Sequence, residues 1–418
     1  MPPRSVIERH FPLVCSHPRN LHLDRGCPVV KILLLASRVP YPLDNGEDLR
    51  VFHFSKYLSQ RHELHLLAYG SGLPPAPEAA RYFSRIHTLE TPPTNGSDRQ
   101  LMSRLMRTFS PDHMYSFDSQ ISSGLGKLLE QDRFDLVWIP AWQMIPYSRY
   151  VKHVPIFVDV MDDGVLELAR ELRWSKSLKK ATVNLKRLFV TFLFERRYFD
   201  RIALCSLVSE RDAEVLRWVC PRAKQVVIPN GVDSGYFKPL GCAEDFPSLI
   251  FEGNMSFPPS VDAVLYFCRE ILPLIQKKVP QVKFYIVGKD PLQEVRSLAG
   301  NCIVVTGYVN DVRPYLDCAS VFVCPMRKGA GIKNKILQAW AMAKPVIATS
   351  VALGGLRIIP DGNIIVTDGP KSFAQEVIRL LDNPGFREEL GQTGRQTVVE
   401  HYTWEQQARS LEGALRSL

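Results

Sequence analysis

A chain of 418 residues is too long for one ordinary hydrophobic core and suits two domains. With 45% hydrophobic and 23% charged residues it reads as globular, which excludes the disordered and fibrous classes. The net charge is +9, and nine cysteines stand without CxxC or Cys/His spacing, which argues against a disulfide framework and against a zinc site.

Residues 1–29 carry only short apolar scraps among Pro, His and Arg and read as a loose N-terminal extension, not a signal peptide. No segment reaches the roughly 20 apolar residues that span a bilayer. Cys205, Cys268, Cys318 and Cys324 lie in apolar runs, where a thiol is ordinarily a small core residue. A cytoplasmic, reducing location is the expectation.

From Val29 the pattern becomes strand, loop and helix, many times over. "VVKILLLAS" is a short, continuously apolar strand of the kind buried in a parallel sheet. A Pro/Asn/Gly loop, "PYPLDNG", leads into a helix and then the strand "ELHLLAY". "DLVWIP", "PIFVDVM" and "RIALCSLVS" follow as further strands. Between Arg170 and Arg201 stand ten Lys/Arg against three Asp/Glu, interleaved with Trp174, Leu185, Phe189 and Phe192. This stretch fits two roles: a core-facing helix with a solvated basic back, or a helix lying on an anionic membrane surface.

These elements give a first Rossmann-like domain over 30–225. The Pro-, Gly- and Asp-rich stretch at 226–247 reads as an interdomain linker. A second set of strands, "SLIFEG", "KFYIVG", "CIVVTG", "SVFVCP", "PVIATS" and "NIIVT", builds a second such domain over 248–400. Residues 401–418 form a last helix with Thr403 as its N-cap candidate, expected to cross back. The fold class is α/β, with two Rossmann-like, doubly wound domains facing a cleft where ligands bind. Neither GxGxxG nor GxxxxGK[ST] occurs, so dinucleotide and P-loop readings lose their best support.

The loop "MRKGAG" and helix "IKNKILQAWAMA" form a loop-to-helix junction, with unpaired N–H groups and the positive end of a helix dipole. Gly329 and Gly331 let backbone approach a ligand without a Cβ. Lys333 and Lys335 add cations there; being two apart, they point to different faces. The combination suits a phosphate.

"GAGIKNKILQAWAMAKPVIAT", "NGVDSGYFKP" and "FEGNMSFPPSVDAVLYF" resemble the donor half of the retaining GT-B fold glycosyltransferases of group one, family four of the sequence classification. The likeness runs from Val29 to the C-terminus and includes "VSERDAEVLR" and "FAQEVIRLLDNPGFREELGQTGRQTVVEHYTWE". "PYPLDNG" and "GNMSFPP…GIKNK" are similar to the branch that builds exopolysaccharides and other bacterial surface glycans. The resemblance implies retaining transfer of a sugar from a nucleotide-sugar donor to a glycan or lipid-linked acceptor. It implies no metal, and no cofactor beyond that donor. It places Lys333, Lys335, Gly331, Gly329, Gly253, Asn254 and Gly46 at the donor diphosphate, and Gln338 with Tyr308 or Val309 at the nucleoside.

Several positions depart from the family pattern. Its Glu-x7-Glu pair is Ala330 and Gln338 here, the Arg and Lys of its glycine loop are Asn254 and Pro259, and the His of its "HD" pair is Met161. An amide at 338 can still bond two ribose hydroxyls. Asp162 is retained and is the catalytic candidate, with a loop cap as its other reading. Asp159, Asp162 and Asp163 together also suggest a metal cluster, although an Asp-rich strand-end turn is commoner. Ala330 and Gln338 motivate a second reading, a non-catalytic protein that binds a nucleotide sugar or a partner. An epimerase lacks acid/base residues in the first domain, and nucleic acid is suggested only by the pI of about 9.0.

Overall fold

The structure, a computed structural model, describes residues 29–43, 45–70, 76–90, 118–173, 177–329 and 331–418. The extension expected before Val29, Trp174 of the basic stretch, and Ala330 lie outside the described residues. The chain divides into two compact units: one runs to Ile228 and takes in Ala408–Leu418, and the other is Pro229–Gln407.

The first unit is built on a seven-stranded sheet. Its strands are β1 (Lys31–Leu35), β2 (Glu63–Gly70), β3 (Arg85–Glu90), β4 (Leu136–Ile139), β5 (Ile156–Asp159), β6 (Leu204–Leu207) and β7 (Gln225–Val227). All neighbours pair in parallel, in the order β3-β2-β1-β4-β5-β6-β7. β4, β5 and β6 are buried along their whole length, which is why they read as unbroken apolar runs. β3 and β7 are strands that the sequence pattern did not disclose, and β7 takes in the first two residues of the stretch read as a linker.

Helix α1 (Gly46–Leu58) follows β1 and is started by Asn45, whose side chain accepts from Asp48 N at 2.9 Å. Glu47 and Asp48 in its first turn and Lys56 in its last complement the helix dipole. Helices α2 (Gly164–Arg173) and α3 (Leu178–Tyr198) form the β5–β6 crossover, and α4 (Glu210–Val219) follows β6. α3 buries Val190, Thr191, Phe194, Glu195 and Tyr198, so its second half faces the core.

The second unit carries six parallel strands: β8 (Ser248–Glu252), β9 (Lys283–Val287), β10 (Ile303–Gly307), β11 (Val321–Cys324), β12 (Val346–Ala348) and β13 (Ile365–Val366). Their order is β10-β9-β8-β11-β12-β13. The turns after β8 and β9 press together so closely that a Cβ on Gly288 would fall 1.7 Å from Gly253 O. With φ of +145°, Gly288 also has a backbone that other residues rarely adopt.

The last helix, α5 (Trp404–Leu415), is started by a capping box: Thr403 Oγ1 accepts from Gln406 N at 3.3 Å, and Gln406 Oε1 accepts from Thr403 N at 3.1 Å. Its end returns to the first unit, where Arg61 donates to both oxygens of Glu412 at 3.2 Å. Among the described residues no helix is long and apolar enough to cross a membrane. The described cysteines are free thiols; Cys205 and Cys324 are buried as expected, while Cys268 and Cys318 keep partial exposure.

Candidate functional site

In open parallel sheets, ligands bind beyond the carboxyl ends of the strands where the strand order reverses. In the second unit that point lies between β8 and β11. Beyond β8 come Gly253 and Asn254, and beyond β11 comes the loop that carries Lys333 into helix α6 (Asn334–Ala341).

The two lysines diverge, as their spacing requires. Lys333 is the N-cap of α6; its Nζ folds back to donate to Gly331 O at 2.9 Å and leaves the side chain 8% exposed. Lys335 turns the other way, toward β8. Its Nζ sits 4.1 Å from the Phe251 ring centroid, and a Cβ on Gly253 would fall 2.6 Å from it. Burial pushes the Lys335 ammonium down from its ordinary range, opposed by Glu252 at the end of β8. Burial likewise pushes the Glu252 carboxyl up, with Lys335 holding it down. Both keep some solvent contact while being packed round on their other sides. A cation held in this way gains from an arriving anion, which compensates the charge that burial disfavours.

The loop between β11 and α6 is fixed by its neighbours. Arg327 and Lys328 both reach Asp262, at 2.9 and 3.0 Å, and Arg327 lies over the Tyr266 ring at 4.2 Å. Gly329 and Gly331 have φ of +114° and +65°, which require glycine's freedom. From the far side Gly354 closes in: a Cβ there would fall 1.8 Å from Gly331 O.

Gln338 lies three residues after Lys335 on α6 and so shares its face. Tyr308, just past β10, is 73% exposed, and Val309 beside it is half-buried. Asn254 spends its side-chain oxygen on Ser256, accepting from its N at 2.9 Å and its Oγ at 2.7 Å. The structure therefore gathers Lys333, Lys335, Gly253, Gly329 and Gly331 at the carboxyl end of one sheet, with Gln338 one turn along. Gly46 belongs to the first unit, at the start of α1, where a Cβ would meet Met161 Sδ at 3.4 Å.

The first unit's switch point lies between β1 and β4; Glu47 and Asp48 stand beyond β1, residues 140–155 beyond β4 hold no Asp or Glu, and the aspartates gather one strand further out, around the end of β5. The three aspartates around the end of β5 separate in role. Asp159 is 1% exposed and accepts from Arg50 Nε at 2.9 Å and from Ser206 Oγ. The cap of α2 is Asp163, whose Oδ1 accepts from Leu166 N at 2.7 Å. Glu195 reaches the same turn from α3, accepting from Val165 N at 3.2 Å. Burial pushes the Asp163 carboxyl up to about 7, and burial with the Asp163 charge holds Glu195 well above its ordinary range. Glu47, half-buried at the start of α1, is raised to about 7 by burial and by Asp48. Among the described residues no group of three or more His, Cys, Asp or Glu is placed to hold a metal ion.

Sequence reasoning missed Glu252, Asp262, Gly288 and Gly354, which position the lysine loop from distant parts of the chain. Only the glycines following "FYIV" and "VAL" could have signalled that backbone comes close there.

Residues 246–383 match the family model described as glycosyl transferases group 1. The phosphatidyl-myo-inositol mannosyltransferase of Mycolicibacterium smegmatis is 25% identical over 224 residues, covering 50% of this chain and 55% of that protein. The chain spans about half the length of the curated relatives it matches. Sucrose-phosphate synthase from Thermosynechococcus elongatus superposes with a TM-score of 0.69 at 18% identity, over 93% of this chain and 98% of that one. HepE of Anabaena, solved with UDP and glucose, gives a TM-score of 0.66 at 15% identity, over 93% and 100%. The likeness identifies the fold as the two-domain GT-B arrangement of Rossmann-like units.

Proposed function

Residues 246–383 form a group 1 glycosyltransferase domain, and from that premise we propose that the chain is a retaining, metal-independent glycosyltransferase. It moves a sugar from a nucleotide-diphosphate donor to a glycan or lipid-linked acceptor in surface polysaccharide or glycolipid synthesis. Its place is the cytoplasm. The observation that carries the reading is the convergence of Lys335 on Gly253 at the end of β8, beside the glycine loop that Lys333 closes. Two cations and the first N–H groups of α6 there suit a diphosphate.

The chemistry follows from that placement. Charge grows on the departing diphosphate as the bond to the sugar lengthens. Preorganised cations and a helix start stabilise it most at that moment, when it is greatest. Gln338 meets the ribose hydroxyls, Tyr308 or Val309 borders the nucleobase, and Asn254 and Gly46 complete the donor contacts. Asp162, in the loop between β5 and α2, is taken as the catalytic acid of the first unit.

Retention and metal independence are tested together. Incubation with UDP-, GDP- and ADP-sugars and a lipid or glycan acceptor, with and without a chelator, is followed by NMR of the anomeric proton. The expected product keeps the donor's anomeric configuration and forms equally in chelator. An inverted product or a requirement for added cation overturns the corresponding part.

Gln338 favours a second reading, in which the site binds a nucleotide sugar without turning it over. Binding without turnover in the parent, with turnover appearing in Gln338→Glu, would establish that reading in place of the first.

A further inference from the structure

We propose that the outward face of α3, extended by Trp218 of α4, is a docking surface for an anionic lipid bilayer. The evidence is a second apolar stripe on a helix whose first apolar face is already used. At 100° per residue, Leu178, Leu185, Phe189 and Phe192 fall within about 60° of one another. The buried residues Val190, Phe194 and Tyr198 point the opposite way. The stripe is exposed: Leu178 by 89%, Leu185 by 57% and Phe189 by 53%. Phe192 carries it onto Trp218, whose ring lies 6.1 Å away and which is itself 72% exposed.

Charge identifies the occupant. From Leu178 to Tyr198 the helix has six Lys or Arg and one acid, Glu195, which is 0% exposed. By the same geometry Arg196 falls in the apolar stripe and Lys179, Lys186 and Arg197 flank it, while Lys180 and Arg187 lie opposite; the charges of the helix on the stripe's side are all cationic. An anionic bilayer satisfies both halves: aliphatic and aromatic side chains enter the headgroup boundary while the lysines meet lipid phosphates. A nucleic acid would use the cations and leave the stripe in water. A second copy of this chain would bring the same excess of positive charge against itself.

The surface does not depend on the glycosyltransferase reading, so the two are tested apart. The full chain is mixed with vesicles of phosphatidylcholine alone, or with about one third phosphatidylglycerol, and sedimented at low and high salt. Binding is expected only with the anionic lipid, weakening as salt rises. Lys179→Ala with Lys186→Ala, the lysines that flank the stripe, should lower the partition roughly fivefold per lysine at low salt, from about 1 kcal/mol each. Leu185→Glu with Phe189→Glu should lower it at least tenfold. The melting temperature and any nucleotide-induced shift should stay unchanged in both variants.

A parent that ignores anionic vesicles at low salt overturns the proposal, as does binding that the Leu185/Phe189 change leaves intact. It is overturned equally if those changes convert a sedimenting dimer to a monomer, or if a short duplex competes fully with vesicles.

Discussion

The carboxyl ends of the two sheets have opposite chemical character. In the second unit, the loops beyond β8 and β11 collect Arg327, Lys328, Lys333 and Lys335 around glycines whose backbone cannot carry a side chain. In the first, the loops beyond β1 and β5 collect Glu47, Asp48, Asp162 and Asp163; Arg38 is bonded to Asp48, and Arg50 to Asp159. One strand order thus frames a basic site in one half and an acidic one in the other. A diphosphate needs the first. The second is where the proposed function puts the acceptor, whose hydroxyl must give up a proton. The fold supplies the place, and the loop residues decide what is bound there.

The largest effect should come from breaking the acidic side where it is structural. Asp159→Ala removes the carboxylate that the fully buried Arg50 Nε bonds and should cost about 3–5 kcal/mol by denaturant unfolding. If the loss is under about 1 kcal/mol, the acids of the first unit are not structural in the way their contacts imply.

The next effect sharpens the basic side. Lys335→Ala should weaken nucleoside diphosphate binding by about 1.5–3 kcal/mol, the worth of a charge-assisted hydrogen bond, measured by titration calorimetry. It also leaves Glu252 uncompensated, so Lys335→Met, which keeps the packed stem, controls for stability. An affinity unchanged in both variants would remove Lys335 from the site.

The pH dependence separates the halves further. Asp163 titrates near 7 when folded and near 4 when unfolded, so between these values the native state holds more protons. Its contribution to stability is therefore full below about pH 4 and is lost as pH rises to about 7, with a slope of at most about 1.4 kcal/mol per pH unit. Glu195→Gln removes the second carboxyl of this turn that is raised, by burial and by the Asp163 charge, and with it that group's own share of the loss; the curve should flatten, read as the difference in unfolding free energy between parent and variant across this range. Parallel curves would contradict it.

Thr403→Ala should have the smallest effect. It removes one half of the capping box of α5 and should cost about 1 kcal/mol. The donor side should not notice.

Much of this was legible in the sequence, because parallel strands buried on both faces announce themselves as unbroken apolar runs. The divergence of Lys333 and Lys335 followed from their spacing. β3 was hidden because the apolar residues of "RIHTLE", Ile86 and Leu89, stand three apart, which is not a strand period, and β7 because three residues give no period. The partners that hold the site stand far away in sequence: Asp262 meets Lys328 across 66 residues. Contacts of this kind leave no local pattern. The cap on α2 fell to Asp163, because one residue of offset decides which carboxyl meets the Leu166 N–H. Thr403 was recognised as a cap, and its partner in the capping box is Gln406, three residues on.

The central claim is that the basic half binds a nucleoside diphosphate. Thermal unfolding of the full chain should be followed with UDP, GDP and ADP, alone and as sugar conjugates, beside Lys333→Ala and Lys335→Ala. A ligand that binds only the folded protein raises its melting temperature. The account predicts a rise with one nucleotide in preference to the others, abolished by either lysine change. A parent whose melting temperature moves with none of them, or one that moves equally in both variants, would contradict it.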